Sequence, residues 1–255
     1  MPVTDLFARR ATLRRSLRLL SEFRHERSDP AKFYRTLAAD TAAMVTDLWR
    51  GTHGEDPAGR TLLDVGGGPG YFAAAFADAG VRYVGVEPDP SEMHAGGPAF
   101  ANAAGTFVRA SGMALPFGDD SVDICLSSNV AEHVPRPWQL GAEMLRVTKP
   151  GGLVVLSYTV WLGPFGGHEM GLWHYLGGER AAARYARRHG HPAKNNYGSS
   201  LFAVSAADGL SWAAGTGAAV GAFPRYHPRW AWRLTSVPVL REFLVSNLVL
   251  VLIPQ

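Results

Sequence analysis

The sequence predicts an α/β fold: a mostly parallel sheet with helices on both faces. Three observations carry this expectation. Between residues 61 and 160, short apolar runs alternate with stretches of helical period, the pattern of βαβ units joined by right-handed crossovers. The first apolar run closes on a turn of four glycines and one proline, within TLLDVGGGPGYFAA at 61–74, before a helix-forming stretch begins. The last apolar run, NLVLVLIP at 247–254, is too short to cross a bilayer and suits a strand buried on both faces.

In chain order, residues 5–20 set Leu6, Leu13, Leu17 and Leu20 near one helical face, with Arg14, Arg15 and Arg18 mostly elsewhere. A second helix is expected over 30–49, with Asp29 as N-cap and Pro30 in the first turn. After the turn-rich link at 51–60, TLLDV (61–65) reads as a strand, 71–79 as a helix, and YVGVE (83–87) as a strand. A short helix starts at 91–94, and TFVRA and VDICLSS supply two further strands. A helix over 137–147 is closed by KPGG, and LVVLSYTV (153–160) is the next strand. Residues 161–200 break the pattern with Gly, aromatics and His around a short basic helix near 179–188. Ser205 with Asp208 reads as a capping box opening a helix to about residue 214, and a strand is expected near 218–223.

With 47% hydrophobic and 18% charged residues, the 255-residue chain suits a globular protein with a sizeable core. Its single cysteine, Cys125, excludes an internal disulfide and any cysteine-rich zinc site, and fits a reducing cytoplasm. No secretory signal or transmembrane helix is expected. The net charge of +3 is uneven: residues 1–27 hold seven Arg against Asp5, Glu22 and Glu26, so the rest is close to neutral. That is not the broad positive surface of a nucleic-acid binder, and no nucleic-acid partner is expected.

The glycine turn has two readings. From Gly68 it satisfies the dinucleotide pattern G-x-G-x-x-A, and from Gly66 it reads G-x-G-x-G. Two neighbours decide between them. Asp64, at the carboxyl end of the first strand, disfavours a pyrophosphate but binds an ammonium group, directly or through water. Glu87, at the end of the next strand, is placed to accept both hydroxyls of a ribose. A nucleoside carrying a cationic amino-acid tail answers both, and S-adenosylmethionine is that molecule.

The motifs D-x-G-x-G-x-G at 64–70, Glu87-Pro88, ALPFGDDSVDICLSSNVAEHV at 114–134 and LRVTKPGGLVVLS at 145–157 resemble the class I S-adenosylmethionine-dependent methyltransferases, in the type 11 subgroup. The whole chain is similar to a group of mycobacterial methyltransferases. The resemblance implies a Rossmann-like fold with a seven-stranded, mostly parallel sheet whose last strand is antiparallel. It implies one domain read as an N-terminal helical cap (1–60), a cofactor-binding core (61–160), a lid insertion (161–200), and C-terminal helices and last strands (201–255). By the same resemblance Gly66, Gly67, Gly68 and Gly70 pass close to the methionine part, Asp64 meets its amine, and Glu87 with Pro88 holds the ribose. Relatives place an Asp near the adenine amine. Here the stretch is Ser111-Gly112-Met113, so the Ser111 hydroxyl and the Met113 backbone are the expected contacts. Asn129 is expected to face the cofactor and substrate cleft.

Glu132-His133 follows Asn129 over the carboxyl end of the sheet. Either the pair caps and packs the loop, or His133 acts as base or orients the substrate. In ubiquinone-pathway O-methyltransferases a similar E-x-x-E-H is tied to a divalent metal. Asn129 stands where the first Glu would be, and no metal site is expected. His168 and His174 in the insertion are the other candidate catalytic residues. With Glu169, Trp161, Phe165, Trp173 and Tyr175 they suggest a lid that excludes water, hinged at Gly163, Gly166-Gly167 and Gly177-Gly178. The Arg-rich N-terminus, the aromatic lid and the apolar tail lean toward a lipid acceptor and peripheral contact with the inner face of a membrane. The expected activity is methyl transfer from S-adenosylmethionine to an oxygen of a small molecule or envelope lipid. The alternatives are a non-catalytic cofactor-binding partner in envelope assembly and, on the Gly68 register, an NAD-dependent oxidoreductase.

Overall fold

The computed structural model describes residues 3–25, 28–94 and 105–255. Glu26 and Arg27 of the basic segment lie outside them. Strand β1 (Thr61–Val65) pairs in parallel with β2 (Arg82–Val86) and with β4 (Val122–Ser128). Parallel pairing continues outward from β2 to β3 (Thr106–Val108), and from β4 to β5 (Thr148–Thr159). Strand β7 (Asn247–Leu252) inserts antiparallel between β5 and β6 (Ala219–Pro224). The order β3-β2-β1-β4-β5-β7-β6 is the seven-stranded sheet with one antiparallel strand that the resemblance implied.

Because side chains alternate across a strand, the sheet has two apolar faces. Leu62, Ile124, Leu126, Leu153 and Val155 pack on one side with α3 (Pro30–His53) and α4 (Ala73–Asp78). Leu63, Cys125, Val154 and Leu156 pack on the other with α6 (Pro137–Val147) and α8 (Ala206–Gly215). The predicted caps are present. The Asp29 side chain accepts from the Lys32 N–H at 3.1 Å, and Ser205 Oγ from the Asp208 N–H at 2.9 Å. The sheet order reverses at β1, so the carboxyl ends of β1, β2 and β4 surround the crevice where α/β sheets bind ligands.

Three expectations change. The single N-terminal helix is two, α1 (Asp5–Arg10) and α2 (Leu13–Glu22), because Thr12 caps the second by accepting from the Arg15 N–H. In α2 the leucine face points outward: Leu13 and Leu17 are 55% and 59% exposed. Leu19 and Arg15 are buried instead, and the Arg15 guanidinium grips the Asp40 carboxylate of α3 at 2.6 and 2.7 Å. The KPGG segment does not end α6 in a loop. It belongs to β5, where the register shifts between Val122 and Ile124 of its partner. Finally, most of the expected hinge glycines are close-packed. A Cβ on Gly166 would sit 1.8 Å from the Trp161 carbonyl oxygen, and one on Gly178 2.3 Å from the Tyr197 ring. Of the five, only Gly177 needs a left-handed backbone, at φ 105°.

Candidate active site

The glycine turn leaves β1 and folds under the end of β2, with the Gly66 and Gly67 N–H groups donating to the Val86 carbonyl at 2.7 and 3.1 Å. Gly66, Gly68 and Gly70 all have positive φ. At Gly67 the reason is space: a Cβ would lie 2.8 Å from the Tyr83 hydroxyl and 3.0 Å from Asp64 Oδ2. Beneath the turn the Tyr83 hydroxyl donates to Asp64 Oδ2 at 2.6 Å. Asp64 is buried, and burial pushes its carboxyl up to about 7 against the Tyr83 hydrogen bond and the nearby Arg225 charge. A carboxylate this costly to ionise is one that a cation would stabilise.

Glu87 lies at the end of β2. Its two oxygens accept the Gly68 N–H at 3.3 Å and the Asp89 N–H at 3.1 Å, which fixes the carboxylate against the glycine turn. Burial raises its pKa, and those two amide bonds lower it again. The Pro88 carbonyl accepts from Arg109 Nε at 3.2 Å. Across the crevice, Ser111 Oγ accepts the Met113 N–H at 3.2 Å, which rounds off the loop after β3. Gly112 has no room for a side chain, since a Cβ there would meet Val65 Cγ1 at 2.6 Å. Asn129 follows β4 in the left-handed region, φ 59°, with its side-chain oxygen held by the Asn247 amide.

One short turn further on, Ala131–His133 forms a 3-10 turn that brings Glu132 and His133 over the sheet. Glu132 is buried, with Oε1 accepting the Thr159 N–H at 3.0 Å and Oε2 unpartnered. His133 Nδ1 lies 2.7 Å from the Ser200 carbonyl oxygen. The insertion delivers His168 to the same place, its ring centroid 5.1 Å from that of His133. One donor atom from each of Glu132, His133 and His168 falls within 4.8 Å of the other two. His174 stands apart. It is buried within the 161–200 segment against Trp161 and Tyr175, with Nδ1 2.8 Å from the Gly171 carbonyl oxygen.

Residues 63–156 match the methyltransferase domain family Methyltransf_11. A protein of Mycobacterium tuberculosis (strain ATCC 25618 / H37Rv) described as an uncharacterized methyltransferase is 85% identical over 254 residues, with all of both chains covered. Its counterpart in Mycobacterium marinum is 82% identical over 255 residues, again across both chains. The chain belongs to the class I S-adenosylmethionine-dependent methyltransferases. Solved structures repeat the fold at low identity. An S-adenosylmethionine dependent methyltransferase from Mesorhizobium loti aligns at TM-score 0.53 and 20% identity, over 80% of this chain and 95% of its own. Geranyl diphosphate methyltransferase, in complex with GPP and sinefungin, aligns at 0.53 and 16% identity, over 84% and 77%.

In this methyltransferase the 161–200 segment packs Met170, Ala181 and Ala193 with Leu201 into a small core of its own. The segment also reaches the β2 side of the crevice, where Lys194 Nζ pairs with Glu92 of α5 (Pro90–His94) at 2.8 Å. Phe165 stacks on Phe23 of the N-terminal segment, and Tyr34 of α3 stacks on Tyr71 beside the glycine turn at 3.6 Å. Two residues that sequence reasoning missed join the candidate site. Tyr83 partners Asp64, and its place as the second residue of β2, opposite Leu62 and so on the Asp64 face of the sheet, is a signal for it. Arg225 is fully buried just beyond β6, bonded to the hydroxyls of Ser128, Ser157 and Thr41. The rule that found Asp64 and Glu87, a charge at the carboxyl edge, applies to it equally. Among the described residues no helix is long and apolar enough to cross a membrane.

Proposed function

We propose that this methyltransferase methylates a hydroxyl oxygen of a small molecule or lipid, and that the acceptor carries an apolar chain. The carrying observation is the Glu132-His133-His168 group: acceptor atoms gathered at the carboxyl edge, beside Asn129. The donor fits the rest of the edge. The Gly66–Gly70 turn, whose Gly67 has no space for a side chain, suits close backbone approach, and the buried Asp64 suits the donor's ammonium. Glu87 and Pro88 would hold the ribose, and Ser111, Gly112 and Met113 the adenine. The donor supplies a methyl carbon on a positively charged sulfur. The protein holds the acceptor oxygen in line with it and excludes water, and positioning of this kind supplies much of the rate. His133 or His168 takes the hydroxyl proton, each with Nδ1 tied to a backbone carbonyl and Nε2 left as the basic atom.

An apolar rim supports the lipid reading. Leu172, Trp173 and Leu176 of the lid are exposed, as are Val239, Leu240, Phe243 and Leu244 before β7, and Tyr175 stacks near Phe243 where the two segments meet. Arg14 and Arg18 flank the outward leucines of α2, which suits an anionic membrane surface at the cytoplasmic side. Calorimetry with S-adenosylmethionine and with NAD tests the donor: binding of NAD alone would restore the register counted from Gly68. Lipid and metabolite profiling of a deletion strain tests the acceptor, with a species lighter by one CH2 expected to accumulate. An unchanged lipid fraction with a shifted soluble metabolite would remove the lipid half of the proposal.

A further inference from the structure

We infer that Glu132, His133 and His168 form a binding site for one first-row divalent cation, which clips the lid to the edge of the sheet. A carbonyl oxygen only accepts, so His133 Nδ1 facing the Ser200 oxygen at 2.7 Å must carry its proton. The same holds for His168 Nδ1, 3.2 Å from the Gly166 oxygen. In both rings Nε2 is then the atom with the lone pair. Glu132 has one oxygen occupied by the Thr159 amide, and the other is buried without a partner. One ligand-type atom from each of the three residues lies within 4.8 Å of the other two, and the atoms left free to bind are the two Nε2 and the unpartnered Glu132 oxygen. A cation between them would satisfy all three. Backbone carbonyls on the far nitrogens are also the outer contacts that orient imidazoles bound to metals.

The expectation of no metal rested on Asn129, and Asn129 takes no part, since its side-chain oxygen is engaged by Asn247. The third ligand comes instead from the lid. Two imidazoles and one carboxylate suit Zn2+, Mn2+, Fe2+ or Co2+ better than Mg2+ or Ca2+, which prefer oxygen. Three protein ligands leave positions open for a water or an acceptor hydroxyl. On the methyl-transfer reading, a hydroxyl bound there gives its proton to water more readily, and the freed oxygen pair bonds the methyl carbon as the carbon–sulfur bond breaks. Where the cation binds it replaces the base role proposed above for His133 or His168, and in the metal-free chain either imidazole keeps that role.

The test uses the full, untagged chain stripped of metal. Calorimetry should find one Zn2+ per chain, with Mg2+ about 100-fold weaker or more, and Co2+ should produce a visible absorption band. His168→Ala and Glu132→Gln should each weaken Zn2+ binding about tenfold or more, and circular dichroism checks that both variants fold. Replacing His189 and His191, which lie outside the group, should change nothing. The inference is overturned if no stoichiometric ion binds, or if loss follows His189 and His191 and spares His168. In that case a proton shared between Glu132 and an imidazole satisfies the group. Binding of S-adenosylhomocysteine to the metal-free wild-type chain is read separately, so failure of the methyl-transfer reading shows as loss of that binding and not of zinc.

Discussion

If Asp64 meets the donor's ammonium, its burial should make cofactor binding depend on pH. If the carboxylate must be ionised to meet the donor's ammonium, apparent affinity follows its ionised fraction. With a pKa of about 7, that fraction rises about 25-fold between pH 5.5 and 7.5, or about 1.9 kcal/mol of binding free energy. An ordinary Asp would be ionised throughout that range and give a flat profile. Stability moves the other way. The folded-state pKa lies above the unfolded value, so the free protein gains stability from a protonated Asp64 at low pH. That gain, on the order of 4 kcal/mol at most, is lost as pH rises through about 7. Calorimetric titration with S-adenosylhomocysteine between pH 5.5 and 7.5 is the assay, paired with thermal unfolding of the free chain. Glu87 is raised as well, so Tyr83→Phe supplies the control. The phenol's hydrogen bond holds Asp64 down, and removing it should move the midpoint upward. A profile that is flat, or unmoved by Tyr83→Phe, would refute the role given to Asp64.

Glu87→Ala should weaken S-adenosylhomocysteine about 10- to 100-fold, the worth of hydrogen bonds to a charged group, with thermal stability little changed. Gly67→Ala forces a methyl against the Tyr83–Asp64 pair, so cofactor binding should fail while far-ultraviolet circular dichroism stays native. Lys194→Glu places like charges where Lys194 and Glu92 now pair. Exposed pairs hold little stability, so the melting temperature should barely move, while limited proteolysis should cut the 161–200 segment sooner. Replacing Leu13 and Leu17 together by Gln should abolish sedimentation with anionic vesicles at low salt. Equal sedimentation of variant and wild type would take α2 out of any membrane contact.

Asp64 and Glu87 were legible in the sequence because each ends an apolar run, and the carboxyl edge of a parallel sheet is where ligands bind. Arg225 obeys the same rule and still escaped, because β6 reaches that edge only after β7 inserts beside β5, a pairing no local pattern encodes. Helical period set Leu13, Leu17 and Leu20 on one face without saying which face would be buried. That was decided by Asp40, a residue of another helix, drawing Arg15 inward. The meeting of His133 with His168 was hidden for the same reason: it is a product of how the insertion folds. The glycines of 161–200 suggested freedom, yet Gly163, Gly166, Gly167 and Gly178 mark places where backbone or ring lies too close for a side chain.

Those contacts bear on how the site is filled. Asp64 is buried, yet the ligand it is suited to must come from solvent. The contacts over the carboxyl edge include the Tyr34–Tyr71 stack, the Phe23–Phe165 stack and the Lys194–Glu92 pair. Each is an exposed or half-buried contact of the kind that contributes about 1 kcal/mol or less, whereas the sheet beneath is held by buried ladders. Parting these three costs far less than unfolding, so the 161–200 segment can lift from the edge while the glycine turn stays formed and Arg15 keeps α2 on α3. A cation held by Glu132, His133 and His168 changes that balance, because it adds a lid-to-sheet contact stronger than any of the three. Cofactor exchange should then be slower with metal bound than without it. Stopped-flow dissociation of S-adenosylhomocysteine from the metal-free and zinc-loaded chain measures this, and equal rates would mean that the lid and the cofactor crevice open independently.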